Sequence, residues 1–183
     1  MNGRFILLLS LAANTSCRPQ DRGAVHVDTA IVVSVHPDST EVAGSPGAPL
    51  TPADFVVIGL HAEMDSVAVA TLLGMPDSET ASDDFRDPGG KLVAWHYRDL
   101  TVLLGSHNSL GGVSITGASI STARGLRVGD TRERARALYG APESEFGGDW
   151  QYEYHGHAAL LAALQISFTD GRVREIYLGH LYD

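Results

Sequence analysis

The chain has almost no cysteine and almost no lysine. A single cysteine, Cys17, in 183 residues excludes a disulfide framework and the cysteine clusters of structural zinc sites. Lys91 is the sole lysine; the other twelve basic residues are arginines. Thirteen basic residues against twenty-two acidic ones give a formal charge of −9. That balance excludes the basic surface a nucleic-acid binder needs, so no nucleic-acid partner is expected. Aromatics are sparse at 7%. Long apolar runs are missing too: Phe5 to Ala13 is nine residues, and a membrane span needs about 20. Recognisable catalytic patterns are also lacking. There is no Gly-x-Ser-x-Gly elbow and no Ser-x-x-Lys, and Ser106 beside His107 has no orienting partner in sequence. Gly89-Gly90 and Gly111-Gly112 lead into no phosphate-binding helix. An enzyme is not expected, and neither is a cofactor. With 44% hydrophobic and 19% charged residues, the chain still has the apolar content of a folded protein.

The amino terminus reads as an export signal over residues 1–16. Arg4 supplies a charged start, and Phe5 to Ala13 has the length of a signal-peptide apolar region. Asn14-Thr15-Ser16-Cys17 follows directly, with small residues before the cysteine. It resembles the lipobox of bacterial lipoproteins, although Asn14 stands where that family usually carries Leu. The resemblance implies lipidation of Cys17, a mature chain that begins there, and anchoring to a membrane. Arg18 rather than Asp after the cysteine favours the outer membrane in a diderm organism. Simple secretion is the alternative. Residues 17–52 then read as a Pro/Gly-rich tether containing Pro19, Pro37, Pro46, Pro49 and Pro52. The apolar stretch Ala30 to Val35 within it has strand character.

Self-comparison organises the rest. Leu72-Leu73-Gly74-Met75-Pro76-Asp77-Ser78-Glu79 and Leu138-Tyr139-Gly140-Ala141-Pro142-Glu143-Ser144-Glu145 share five of eight residues. Trp95-x-Tyr97 matches Trp150-x-Tyr152. The expected organisation is two repeat units, 53–118 and 119–183. In each, a capped helix ends at Gly74 or Gly140, with Asp65 and Asp130 as caps and Val69, Leu72, Leu73 or Ala135, Leu138, Tyr139 on the packed face. Strands follow at Leu92 to Tyr97, Leu100 to Gly105 and Gly112 to Thr116. In the second unit they are Trp150 to His155, Leu164 to Phe168 and Arg172 to Leu178, with a turn at Thr169-Asp170-Gly171. The expected fold class is α+β, as two tandem helix-plus-antiparallel-meander repeats packed side by side.

The run Leu126-x-Val128-Gly129-Asp130-Thr131, helix, Gly140-x-Pro142, Trp150-x-Tyr152, Ile166-x-Phe168-x-Asp170-Gly171-x-Val173 resembles the SmpA/OmlA (BamE-like) outer-membrane lipoprotein modules. It is also similar to the tandem-repeat β-lactamase inhibitor protein family. The likeness covers about 60 residues of the second unit; the first is divergent, with Glu63-Met64 in place of Gly129-Asp130. It implies a non-enzymatic module that binds another protein.

Strand alternation sorts the candidate partner-binding residues. Trp95, Tyr97, Trp150, Tyr152 and Tyr154 share one face. His96, Arg98, Gln151, Glu153 and His155 share the other. Either the aromatics are core and the polar set lies on an open face, or an aromatic stripe is the binding surface. No metal is expected. The weaker alternative is His155-x-His157 with Asp149, His180 or His96 as third ligand. Asp83-Asp84 with Asp87 lacks EF-hand spacing and reads as a solvated loop. The functional expectation is an exported, membrane-anchored, non-catalytic module that binds an envelope protein; the alternative is a periplasmic small-molecule or metal-binding protein.

Overall fold

The two helices are specified by their ends. Asp65 is extended ahead of α1 (Ser66–Leu73), and its carboxylate accepts from the Ala68 N–H at 2.8 Å. Thr131 caps α2 (Arg132–Tyr139), its hydroxyl accepting from the Arg134 N–H at 3.2 Å. Such caps satisfy N–H groups that have no partner inside the helix. Asp130, expected in that role, instead accepts from the Arg127 N–H at 2.8 Å, closing the preceding turn. Gly74 and Gly140 end the helices at φ of 80° and 83°, a region that costs other residues steric strain. The Tyr97 and Tyr152 hydroxyls donate to their carbonyls, each at 3.1 Å. The recurring Gly-x-Pro and Trp-x-Tyr motifs are thus two halves of one device that ties a helix end to a strand.

The computed structural model describes residues 46–84, 87–155 and 162–180, all within a compact unit spanning 39–183. The signal segment, Cys17, His157 and the tether up to residue 45 lie outside the described residues. The tether's last stretch is bound: Gly47 N–H donates to the Leu138 carbonyl at 3.1 Å.

The strands are β1 (Ser78–Asp83), β2 (Lys91–Tyr97), β3 (Leu100–Leu104), β4 (Leu110–Ile115), β5 (Ser144–Phe146), β6 (Asp149–Tyr154), β7 (Ala162–Thr169) and β8 (Arg172–His180). All pairings are antiparallel, and they build one eight-stranded sheet in the order β1-β2-β3-β4-β8-β7-β6-β5. This corrects the expected fold class. The chain is not two helix-plus-meander repeats packed side by side. It is mostly one continuous antiparallel sheet, with two eight-residue helices among the described residues. The reason is the unpaired edge that each meander would present: β4 and β8 satisfy those backbone groups by pairing with each other. Gly112 stands opposite Gly179 at this seam, and a Cβ on Gly179 would lie 2.5 Å from the Gly112 Cα. The edges that remain are polar or short. β1 is exposed throughout, and β5 has three residues, which are both devices that discourage edge-to-edge association.

One face of the sheet carries the core. Val102, Val113, Leu178 and Leu164 run across β3, β4, β8 and β7 in register, beside Leu100, Ile115, Ile176 and Ile166. Val69 from α1 and Ala135, Leu138 and Tyr139 from α2 join this core. α2 divides its faces cleanly. α1 does not: its sequence is apolar on several sides, yet Val69 alone is fully buried, while Val67 is 70% and Leu72 46% exposed. Leu72, expected on the packed face, is therefore corrected to the surface. No helix among the described residues is long and apolar enough to cross a membrane.

Candidate functional site

A buried ion pair positions the site. Thr51 N–H and its hydroxyl both donate to Asp54 Oδ2, at 2.8 and 3.0 Å, which closes the short 3-10 turn Pro52–Phe55. Arg124 then grips Asp54 with two bonds, Nε to Oδ1 at 2.7 Å and Nη2 to Oδ2 at 2.8 Å. Its remaining N–H groups donate to the carbonyls of Ala48 and Pro49, each at 2.9 Å, and of Leu138 at 3.4 Å. The guanidinium lies 5.0 Å from the Tyr139 ring centroid, and the Tyr139 hydroxyl donates to Thr122 Oγ1 at 2.7 Å. Burial alone would raise the Asp54 pKa; the bonds and charge of Arg124 and the Thr51 N–H outweigh it and hold it below the usual range. Burial pushes the Tyr139 hydroxyl up to about 12. The guanidinium fork thus fastens residues 48–54 to the body.

That fastening aims Phe55 and Val56 at a cleft of about 600 Å³. Phe55 and Tyr154 form one wall, with ring centroids 5.8 Å apart. Leu110, Val113 and Leu178 supply apolar lining, and Gly111, Gly112 and Gly179 contribute backbone only. Size and lining fit the general character of binding sites, apolar with few polar groups. Apolar exposure extends from the lining residue Val56 to Ile58, which is not part of the lining. Val56 is 41% and Ile58 48% exposed. Ile58 and Gly59 form the turn between the bridged residues Val57 and Leu60, at φ of 46° and 89°. A β-branched residue at positive φ is a true outlier, costing about 1–3 kcal/mol. The Leu72 side chain lies over Gly59, where a Cβ would meet it at 3.3 Å, so the turn and α1 present one apolar surface.

The expected site residues are scattered. Trp150 and Tyr152 are 3% and 4% exposed and belong to the core, which removes them from any docking surface. Arg132 stacks over Trp150 at 5.0 Å and over Phe168 at 4.2 Å, and Arg136 lies over Trp150 at 5.4 Å. Trp95 and Tyr97 are half-buried against the same core. His96 bridges strands, with Nε2 3.0 Å from Thr80 Oγ1 and Nδ1 3.2 Å from Thr101 Oγ1. Gln165 donates to Gln151 Oε1, and Gln151 to Glu153 Oε1, both at 3.1 Å. Arg98 is exposed in the turn after β2. Strands β2 and β6 are five steps apart in the sheet, on the order of 24 Å at about 4.8 Å per step. Trp95 to Arg98 and Trp150 to His155 therefore form no common surface, and His96 cannot share a metal with His155. Asp149 is engaged at the far end of β6, accepting from Ser167 Oγ at 2.8 Å and from Phe168 N–H at 3.0 Å. His157 and the His180 side chain lie outside the described residues.

Sequence reading missed Val56, Ile58 and the clamp Asp54–Arg124. A usable signal existed for the first two: Val56-Val57-Ile58-Gly59-Leu60 is more apolar than a two-residue turn needs. The Asp54–Arg124 pair spans 70 residues and has no local signature.

No known family matches the chain, and no curated protein matches it. Among solved structures it is similar to the uncharacterized protein yfeY from Escherichia coli, at 12% identity and a TM-score of 0.47, over 69% of this chain and 97% of that one.

Proposed function

We propose that the chain is an exported, lipid-anchored, non-catalytic module that binds a protein of the cell envelope. The partner inserts apolar side chains into the cleft walled by Phe55 and Tyr154 and packs against Val56, Ile58 and Leu72. One observation carries this reading: the apolar cleft runs on into exposed apolar residues, one of them held in a strained backbone conformation. Exposed apolar surface of this kind is a mark of interaction sites. Export and anchoring rest on the signal-like segment and on Cys17, where two or more acyl chains would give firm attachment. The resemblance to lipoprotein and inhibitor modules supports the same class of activity, by analogy. The alternative reading, a small apolar ligand in the cleft, is favoured by the cleft volume.

The test is capture from detergent-solubilised native envelopes by the tagged full chain. The double variant Val56→Asp, Ile58→Asp is expected to retain the partner at least about tenfold less well than wild type, as loss of a central anchor does. Gln165→Ala, on the opposite face, is expected to retain it fully. Equal capture by wild type and the Asp variant overturns the assignment of this surface.

A further inference from the structure

We infer that Glu143, Glu153 and His155 form a surface site for a divalent transition-metal cation of the zinc class. Each offers one ligand atom, and the three atoms lie within 4.8 Å of one another. His155 Nε2 is already 3.0 Å from Glu143 Oε2. Ligands about 2.0–2.2 Å from a tetrahedral zinc stand roughly 3.3–3.6 Å apart, so no pair has to close by more than about 1.5 Å. The side chains have room to do so: those of His155 and Glu143 are 70% and 43% exposed.

Three features favour a cation there. Two carboxylates are gathered there with His155 beside Glu143, while the arginines seen in ion pairs are engaged elsewhere, Arg124 with Asp54 and Arg132 with Glu145. The cluster does not hang from one loop. Glu153 is on β6, His155 follows it directly, and Glu143 is anchored by its N–H to the Gln151 carbonyl at 3.0 Å. Glu153 also has an orienting partner, because Gln151 Nε2 donates to its Oε1 and is itself backed by Gln165. Outer bonds of this kind fix a ligand's direction. An imidazole among the donors selects zinc-like ions over calcium or magnesium, which prefer all-oxygen shells. Three protein ligands leave a tetrahedral ion one position for water.

The experiment is calorimetric titration of the untagged full chain with Zn²⁺ alone, and separately with Ca²⁺. Wild type is expected to bind one zinc equivalent that Glu143→Gln with Glu153→Gln weakens at least about tenfold, leaving every histidine in place. His155→Asn is expected to do the same. Gln151→Leu, which touches no metal, is expected to cost about tenfold through Glu153. Far-ultraviolet circular dichroism verifies that each variant is folded. No zinc binding by wild type, equal binding by the double Gln variant, or a preference for calcium would each overturn the site.

Discussion

At the residue scale, one buried ion pair and one exposed residue govern the site and act in opposite directions. Asp54 and Arg124 form a buried, doubly bonded pair, and removing one partner strands the other charge without water. Asp54→Asn is expected to lower stability by about 3–5 kcal/mol at neutral pH, measured by urea denaturation. The pH dependence has a definite sign. Because the Asp54 pKa is lowered in the folded state, its contribution is present above the unfolded value near 3.9 and is lost as pH falls through the depressed folded value. The gap between wild type and Asp54→Asn should therefore narrow below about pH 4. Ile58 works the other way. Its φ of 46° stores strain in an exposed residue, and Ile58→Gly is expected to raise stability by about 1 kcal/mol. The same change removes apolar contact, so partner capture should fall while the melting temperature rises. A lower melting temperature would mean that Ile58 serves the fold and not a partner.

At the element scale, the seam between β4 and β8 holds the sheet together. Gly112 and Gly179 meet there with no room for a side chain, and the Tyr177 hydroxyl would lie 2.5 Å from a Cβ on Gly112. Gly179→Ala is expected to cost about 1–3 kcal/mol, read from thermal unfolding, as overpacking against backbone does. Gly147→Ala would be no equal control, because its φ is 59°. Gly105→Ala is a better one: its nearest neighbour would be 3.8 Å away and its φ is not positive. The central strands were legible because apolar alternation and turn residues bracket them, as at Leu100–Leu104 and Arg172–His180. The edge strands were not. β1, Ser78–Asp83, is exposed at every position, so burial leaves no period in its sequence. The seam is non-local pairing, and only its two glycines hint at it.

At the scale of the whole molecule, identical residue types serve different ends. Trp150 and Tyr152 have the composition of a binding hot spot, yet they fill the core under Arg132 and Arg136. Val56 and Leu72 have the composition of core, yet they face solvent. Local motif reading captured the Asp65 cap and the glycine stops of both helices because those contacts join near neighbours in sequence; the tyrosine locks, which span 23 and 12 residues, it did not foresee. It missed the single sheet and the cleft because both arise from pairs separated by scores of residues, Asp54 with Arg124 and Ile115 with Ile176. The candidate surface is thus a product of assembly: a tether end clamped by a distant arginine, a strained turn and a half-covered helix.

The most direct test of that surface is site-specific photo-crosslinking in native envelopes, with the reactive residue at Val56 and, in a parallel sample, at Gln165 on the opposite face. A discrete adduct with one envelope protein from Val56, and none from Gln165, is the predicted result. Adducts from Gln165 alone, or none from either position in folded protein, would contradict the proposed docking surface.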